Sequence, residues 1–155
     1  MTDRVSATIV LGGTITASAY AELANIIASE RLSIDWDGEP FEPSQRTEGE
    51  PLRLYAHEVP WGRFEDLETW CVEKGLSFAR WCGGYGSQWG PQRVVFTRDG
   101  GPKSFAADEE DCIVLGRETA MILGSMEAIV AYFDAADVEI PPLVVVEKSA
   151  QAAAV

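Results

Sequence analysis

Val5-Ser6-Ala7-Thr8-Ile9-Val10-Leu11-Gly12-Gly13 is β-branched and apolar until it meets two glycines. That composition predicts a buried first strand over Val5 to Leu11 ending in a tight turn. Thr16 then stands where an N-cap is needed, and Tyr20, Leu23, Ala24 and Ile27 recur at helical spacing, with Ile26 widening the stripe, so a helix should run to about Leu32. Working outward, Leu52 to Val59 alternates as a second strand. Gly62 to Lys74 reads as a second helix, with Phe64, Leu67 and Cys71 inward and Gly75 closing it. Leu76 to Cys82 and Arg93 to Thr97 read as neighbouring antiparallel strands, and Asp99-Gly100 turns the chain toward a third near Ser104 to Ala106. Cys112 to Leu115 is a short apolar segment and Arg117 to Leu123 a helical turn or two. Ser125 caps a clearer helix through Ala136 whose stripe is Met126, Ile129, Val130 and Phe133. Pro141-Pro142 confines any last strand to an edge or to Leu143 to Val146.

This order predicts an α+β fold: a single domain over residues 1–148, with a mixed β-sheet of about five to six strands and two to four helices packed on one face. Ile9, Leu23, Ile27, Leu54, Phe64, Leu67, Phe78, Val95, Ile129 and Phe133 are the expected core. Residues 35–50 combine six acids with Pro40, Pro43, Gly38 and Gly49, which predicts a mobile or protruding acidic loop. Residues 149–155 are small and predict a frayed tail.

The chain has 155 residues and a formal net charge of −13. Direct binding to nucleic acid or anionic lipid needs Lys and Arg to neutralise phosphate, so neither is expected. No apolar run approaches the roughly 18 residues that span a bilayer. The first residues lack the features of a signal peptide, so a cytoplasmic location is expected. Cys71, Cys82 and Cys112 match no zinc or redox spacing and read as reduced thiols. No cofactor and no metal site are expected. His57 is the only histidine, so any general-base or nucleophile scheme that needs histidine must run through it, a pair with Cys71 or Cys82 being one such scheme. A reactive thiolate wants an exposed electropositive pocket, which inward-facing cysteines do not have.

Ile9-Val10-Leu11-Gly12-Gly13-Thr14-Ile15 resembles the strand and turn that open bacterial-type asparaginases, where the threonine is a nucleophile. The resemblance covers seven residues, and neither that family's second Thr-Asp motif nor its distant lysine has a counterpart here. Nothing is therefore carried over from it, and Thr14 or Thr16 is read as a cap.

Residues 78–91 are the most unusual in the chain, with Phe78, Trp81, Tyr85 and Trp89 among four glycines. Aromatics and arginine make binding hot spots and glycine-rich loops line ligand pockets, so Arg80, Trp81, Tyr85, Trp89 and Arg93 are candidate binding residues. The acidic run Asp108, Glu109, Glu110 and Asp111 is the other candidate, either a solvated turn or a contact for a basic partner. It lacks the alternating ligands of a calcium loop. Charge is segregated: residues 51–103 hold seven bases against six acids, and residues 104–140 hold one against nine.

These features together suggest a non-catalytic acidic binding protein that neutralises a basic, nucleic-acid-handling partner such as a nuclease or nucleoprotein complex. In composition and size the chain resembles immunity proteins, antitoxins and anti-defence inhibitors of the anti-CRISPR type, some of them nucleic-acid mimics; the resemblance extends to no motif or fold. A small-molecule-binding domain or enzyme built on the loop at residues 80–93 is the second reading, and a structural or assembly subunit the third.

Overall fold

A computed structural model describes residues 4–86, 88–98 and 100–147, so the expected tail at 149–155 lies outside the described residues. The chain runs β1 (Arg4–Thr16), α1 (Ala17–Ser29), β2 (Leu52–Pro60), α2 (Glu65–Lys74), β3 (Ser77–Cys82), β4 (Gln92–Phe96), β5 (Lys103–Ala106), α3 (Arg117–Leu123), α4 (Met126–Ala136) and β6 (Leu143–Val146). Five strands form an antiparallel path in the order β2-β1-β3-β4-β5, and β6 pairs parallel with the far end of β1. Among the described residues the result is an α+β fold of one six-stranded sheet with four helices.

The first strand is longer than its apolar run, because Gly12-Gly13 does not turn the chain. A Cβ at Gly12 would lie 1.7 Å from the Pro141 carbonyl oxygen, and one at Gly13, whose φ is +135°, would lie 2.9 Å from Leu76 Cδ1. The glycines let residues 140–143 cross against β1, and the Gly13 amide donates to the Pro142 carbonyl at 3.0 Å. Beyond the crossing, Gly13 to Thr16 pairs with Leu143 to Val146. β1 thus changes neighbours along its length without leaving the sheet.

Alternation assigns the two faces. Ile9 lies beside Leu54 and Arg80, while Thr8 lies beside Tyr55 and Trp81. The Ile9 face carries the main core, into which α1 sends Leu23 and Ile27 and α2 sends Leu67 and Cys71. Thr16 Oγ1 caps α1 by accepting from the Ala19 amide, and Gly75, at φ 72°, ends α2 in the left-handed conformation. Phe64 is the N-cap of α2 rather than part of it, and α1 stops at Ser29.

Two helices share one face as expected, and one expectation, the inward stripe of α4, is corrected. α4 packs on the opposite face, where Ala136 and Tyr132 meet Val95 and Phe105 in a second small cluster, so α1 and α2 alone share one face. The stripe chosen for α4 also looks outward: Ile129 and Phe133 are only half-buried, and Met126 and Val130 are exposed. Helical spacing marks an apolar stripe but not which of two stripes meets the sheet, and α4 is apolar almost all round. The other expected core residues are buried, Val95 in the second cluster.

Residues 35–50 hold one turn of 3-10 helix, Pro43–Gln45, and are otherwise irregular and mostly exposed. Buried Phe41, the Tyr20 hydroxyl donating to the Pro43 carbonyl, and Arg46 donating to the Leu143 carbonyl attach this loop to the body.

Two stability measurements test this arrangement. Gly12→Ala should destabilise by about 1–3 kcal/mol or more, since backbone must move, whereas Gly90→Ala, with nothing within 4 Å, should change little. Ile27→Ala should cost about 2–5 kcal/mol in denaturant unfolding, while Ile129→Ala should cost about 1 kcal/mol or less.

Candidate functional site

The face opposite the main core is left open between its edges. Thr8 and Val10 of β1, Arg53 and Tyr55 of β2, and Ala79 and Trp81 of β3 form its floor. α4 covers the β4–β5 end, and Trp36 from the acidic loop covers the β2 end, 5.1 Å from the Tyr55 ring and 5.0 Å from His57. Two adjoining depressions of about 310 and 290 Å³ lie between, sharing Thr8, Val10, Arg53, Trp81 and Asp111. Glu109, Glu110, Asp111 and Glu139 supply their carboxylates and Arg53 and Arg93 their cations.

The acidic run is a turn held by its own hydrogen bonds. Asp108 Oδ1 accepts from the amides of Glu110 and Cys112, both at 2.9 Å, and Asp111 takes φ 63°. The Trp81 indole donates to the Asp108 carbonyl at 2.9 Å, and Glu109 Oε2 accepts from the Gly84 amide at 3.1 Å. Arg93 completes the turn: it donates to Asp111 Oδ1 at 3.0 Å, to the Asp111 carbonyl at 2.6 Å, to the Ala136 carbonyl at 2.8 Å and to Asp137 Oδ1 at 2.7 Å. One guanidinium thereby ties the turn to the C-terminal end of α4.

Burial opposes the charge on Arg93, but the Asp137 hydrogen bond and the Asp111 charge outweigh it and raise its pKa. Asp111 is also raised: burial lifts it, and its share of Arg93 lowers it less, with Asp137 and Asp108 adding like charge. The two directions agree physically, because one cation faces two carboxylates.

The candidate residues divide by place. Arg80 is 2% exposed on the main-core face, where its Nε donates to Glu68 Oε2 at 2.9 Å, so it is not a surface contact. Trp81 is buried, with its indole edge toward the acidic turn. Tyr85 and Trp89 stack at 5.3 Å and pack against the main core, the Trp89 indole donating to the Gly83 carbonyl. Their exposed neighbour is Trp61, 6.0 Å from Trp89. Arg93 is the clasp. Asp108 and Asp111 shape the turn, while Glu109 and Glu110 are exposed. Trp36, Tyr55, Arg53 and Thr8 were missed by sequence reading. Thr8 and Tyr55 show only as the polar phase of alternating strands, and Trp36 is the exposed one of two large apolar residues in an acidic loop, Phe41 being buried.

His57 meets no cysteine. Its Nδ1 lies 3.2 Å from Ser6 Oγ and its Nε2 lies 3.3 Å from Asp37 Oδ1. A nucleophilic triad needs a buried carboxylate to fix the ring, and the Asp37 side chain is 92% exposed. Cys71 is buried and its thiol is pushed up to about 12, first by desolvation and then by the Glu68 charge. Cys82 is raised by burial as well, so neither offers a thiolate near neutral pH. Among the described residues no group of three His, Cys, Asp or Glu side chains is placed to hold a metal ion, and no single helix is long and apolar enough to cross a membrane. The chain matches no protein-family description, curated protein or solved structure at a significant level.

Arg93→Met should release the turn. Amide exchange at residues 108–112 is expected to quicken well beyond that of β1, and unchanged protection there would show that the Asp108 hydrogen bonds suffice alone.

Proposed function

We propose that this chain is a non-catalytic acidic binding protein that occupies and inhibits a basic, nucleic-acid-handling protein, in the manner of immunity proteins, antitoxins or anti-CRISPR inhibitors. The observation that supports this most is the Arg93-clasped acidic turn standing over an open sheet face floored by Tyr55 and Trp81. Held carboxylates need little ordering on association, which lowers the cost of binding. Their sign matches Lys and Arg, and aromatic faces beside them favour the same cations. The formal charge of −13 adds steering over distance, so encounter is fast and strongly salt-dependent.

The test is affinity capture from the source cell followed by kinetics on the purified pair. The expected partner is basic and binds nucleic acid, and nucleic acid should compete with this chain for it. Glu109→Gln with Glu110→Gln should slow association and flatten its salt dependence; Asp108 and Asp111 are left alone because they hold the turn. Trp36→Ala should instead speed dissociation, costing on the order of 2 kcal/mol if the ring is a hot spot. A neutral small molecule bound in the depressions with salt-independent affinity would favour a ligand-binding domain instead.

A further inference from the structure

α3 and α4 form a bent pair, their axes turned by 115° across Gly124-Ser125. Met121 is 70% exposed, Ile122 81%, Met126 72% and Val130 49%. Among the described residues these are four of the nine large hydrophobic side chains that are exposed, and they fall within ten residues of chain. α4 meets the sheet cluster through Ala136 and Tyr132, yet Glu127 and Asp134 are its only charged residues. A helix apolar on nearly all sides is ordinarily covered on all sides, and here one side is bare.

We infer that this bent helical pair docks a cationic amphipathic helix of a partner protein, large apolar side chains entering between Ile122 and Met126 and flanking Lys or Arg meeting Glu118, Glu127 and Asp134 of the same two helices. The charge argument selects this occupant. α3 and α4 carry Glu118, Glu127 and Asp134 against Arg117 as their only base, within a strongly acidic chain, so a basic segment gains attraction. A second copy would bring the same negative field, and an anionic bilayer would be repelled. Two methionines suit the role, since unbranched polarizable side chains repack around differing partners. The inference rests on the reading of this chain as a binder of basic proteins, but it uses a surface other than the open sheet face.

A labelled leucine–lysine peptide with helical amphipathic spacing, compared with its composition-matched scramble, tests it by fluorescence anisotropy. The patterned peptide should bind at least about tenfold more tightly, and Ile122→Glu with Met126→Glu should weaken it about tenfold or more despite two added negative charges. Binding that is unchanged or tighter in that variant would mean attraction by charge alone and would overturn the proposal. So would self-association in sedimentation, or capture by phosphatidylcholine vesicles, that the same substitutions abolish. Circular dichroism and melting confirm the fold of the variant, and Ile122→Gln with Met126→Gln replaces it should the glutamates unfold the chain. Glu109→Gln with Glu110→Gln separates the two readings. If it alone slows partner association, the sheet-face reading stands and this one falls, and the converse holds when only the helical variant fails.

Discussion

Pro141 passes so close to Gly12 that no side chain fits between them, and most of the architecture follows from that approach. β1 has β2 and β3 as antiparallel neighbours along its first half and must find a partner for its second. The crossing brings Leu143 to Val146 there in parallel. It also fixes the start of α1, because Thr16, the last paired residue, is the N-cap of that helix, and it draws residues 138–140 to the rim of the open face. Any Cβ at residue 12 would therefore disturb the sheet end, the entry to α1 and one wall of the candidate site together.

The two sheet faces solve their charge problems differently. On the covered face Arg80 is buried against Glu68, whose Oε2 also accepts from the Phe64 amide at the start of α2, so one carboxylate both pairs a buried cation and caps a helix. Removing Glu68 alone would strand that cation, an arrangement far costlier than the pair itself. On the open face Arg93 sits one residue out of phase with the Arg80–Val94 pair and so points the other way. Its charge is spent on Asp111 and Asp137. Both arginines are thus neutralised locally, which leaves Arg53 to face the carboxylates of Glu109, Glu110 and Glu139 across the depressions.

How much of this the sequence showed depends on the range of the interaction concerned. Strand and helix limits that rest on local signals, such as Thr16 before α1, Gly75 after α2 and Pro141-Pro142 before β6, were legible because a cap or a proline acts within a few residues. Gly12-Gly13 was misread as a turn because its reason lies some 130 residues away in Pro141. Arg80 and Arg93 looked alike as candidate binding residues, since composition does not carry strand phase or the identity of a distant carboxylate. The charge segregation was visible, but not that residues 108–111 fold into a turn over Trp81. That depends on a hydrogen bond spanning 27 residues.

Binding by charge fails when the charged groups are free to wander, because each must be ordered at the moment of contact and solvent screens it until then. Four like charges in sequence would ordinarily spread apart. Here Asp108 turns its carboxylate inward to the Glu110 and Cys112 amides, Asp111 gives its own to Arg93, and Glu109 lies against the Gly84 amide. Part of the acidity is consumed in fixing the backbone turn that carries Glu109 and Glu110. The ordering cost is met on folding rather than on association, and the face that results combines fixed negative charge with an aromatic floor, the pairing that lysine and arginine side chains meet best.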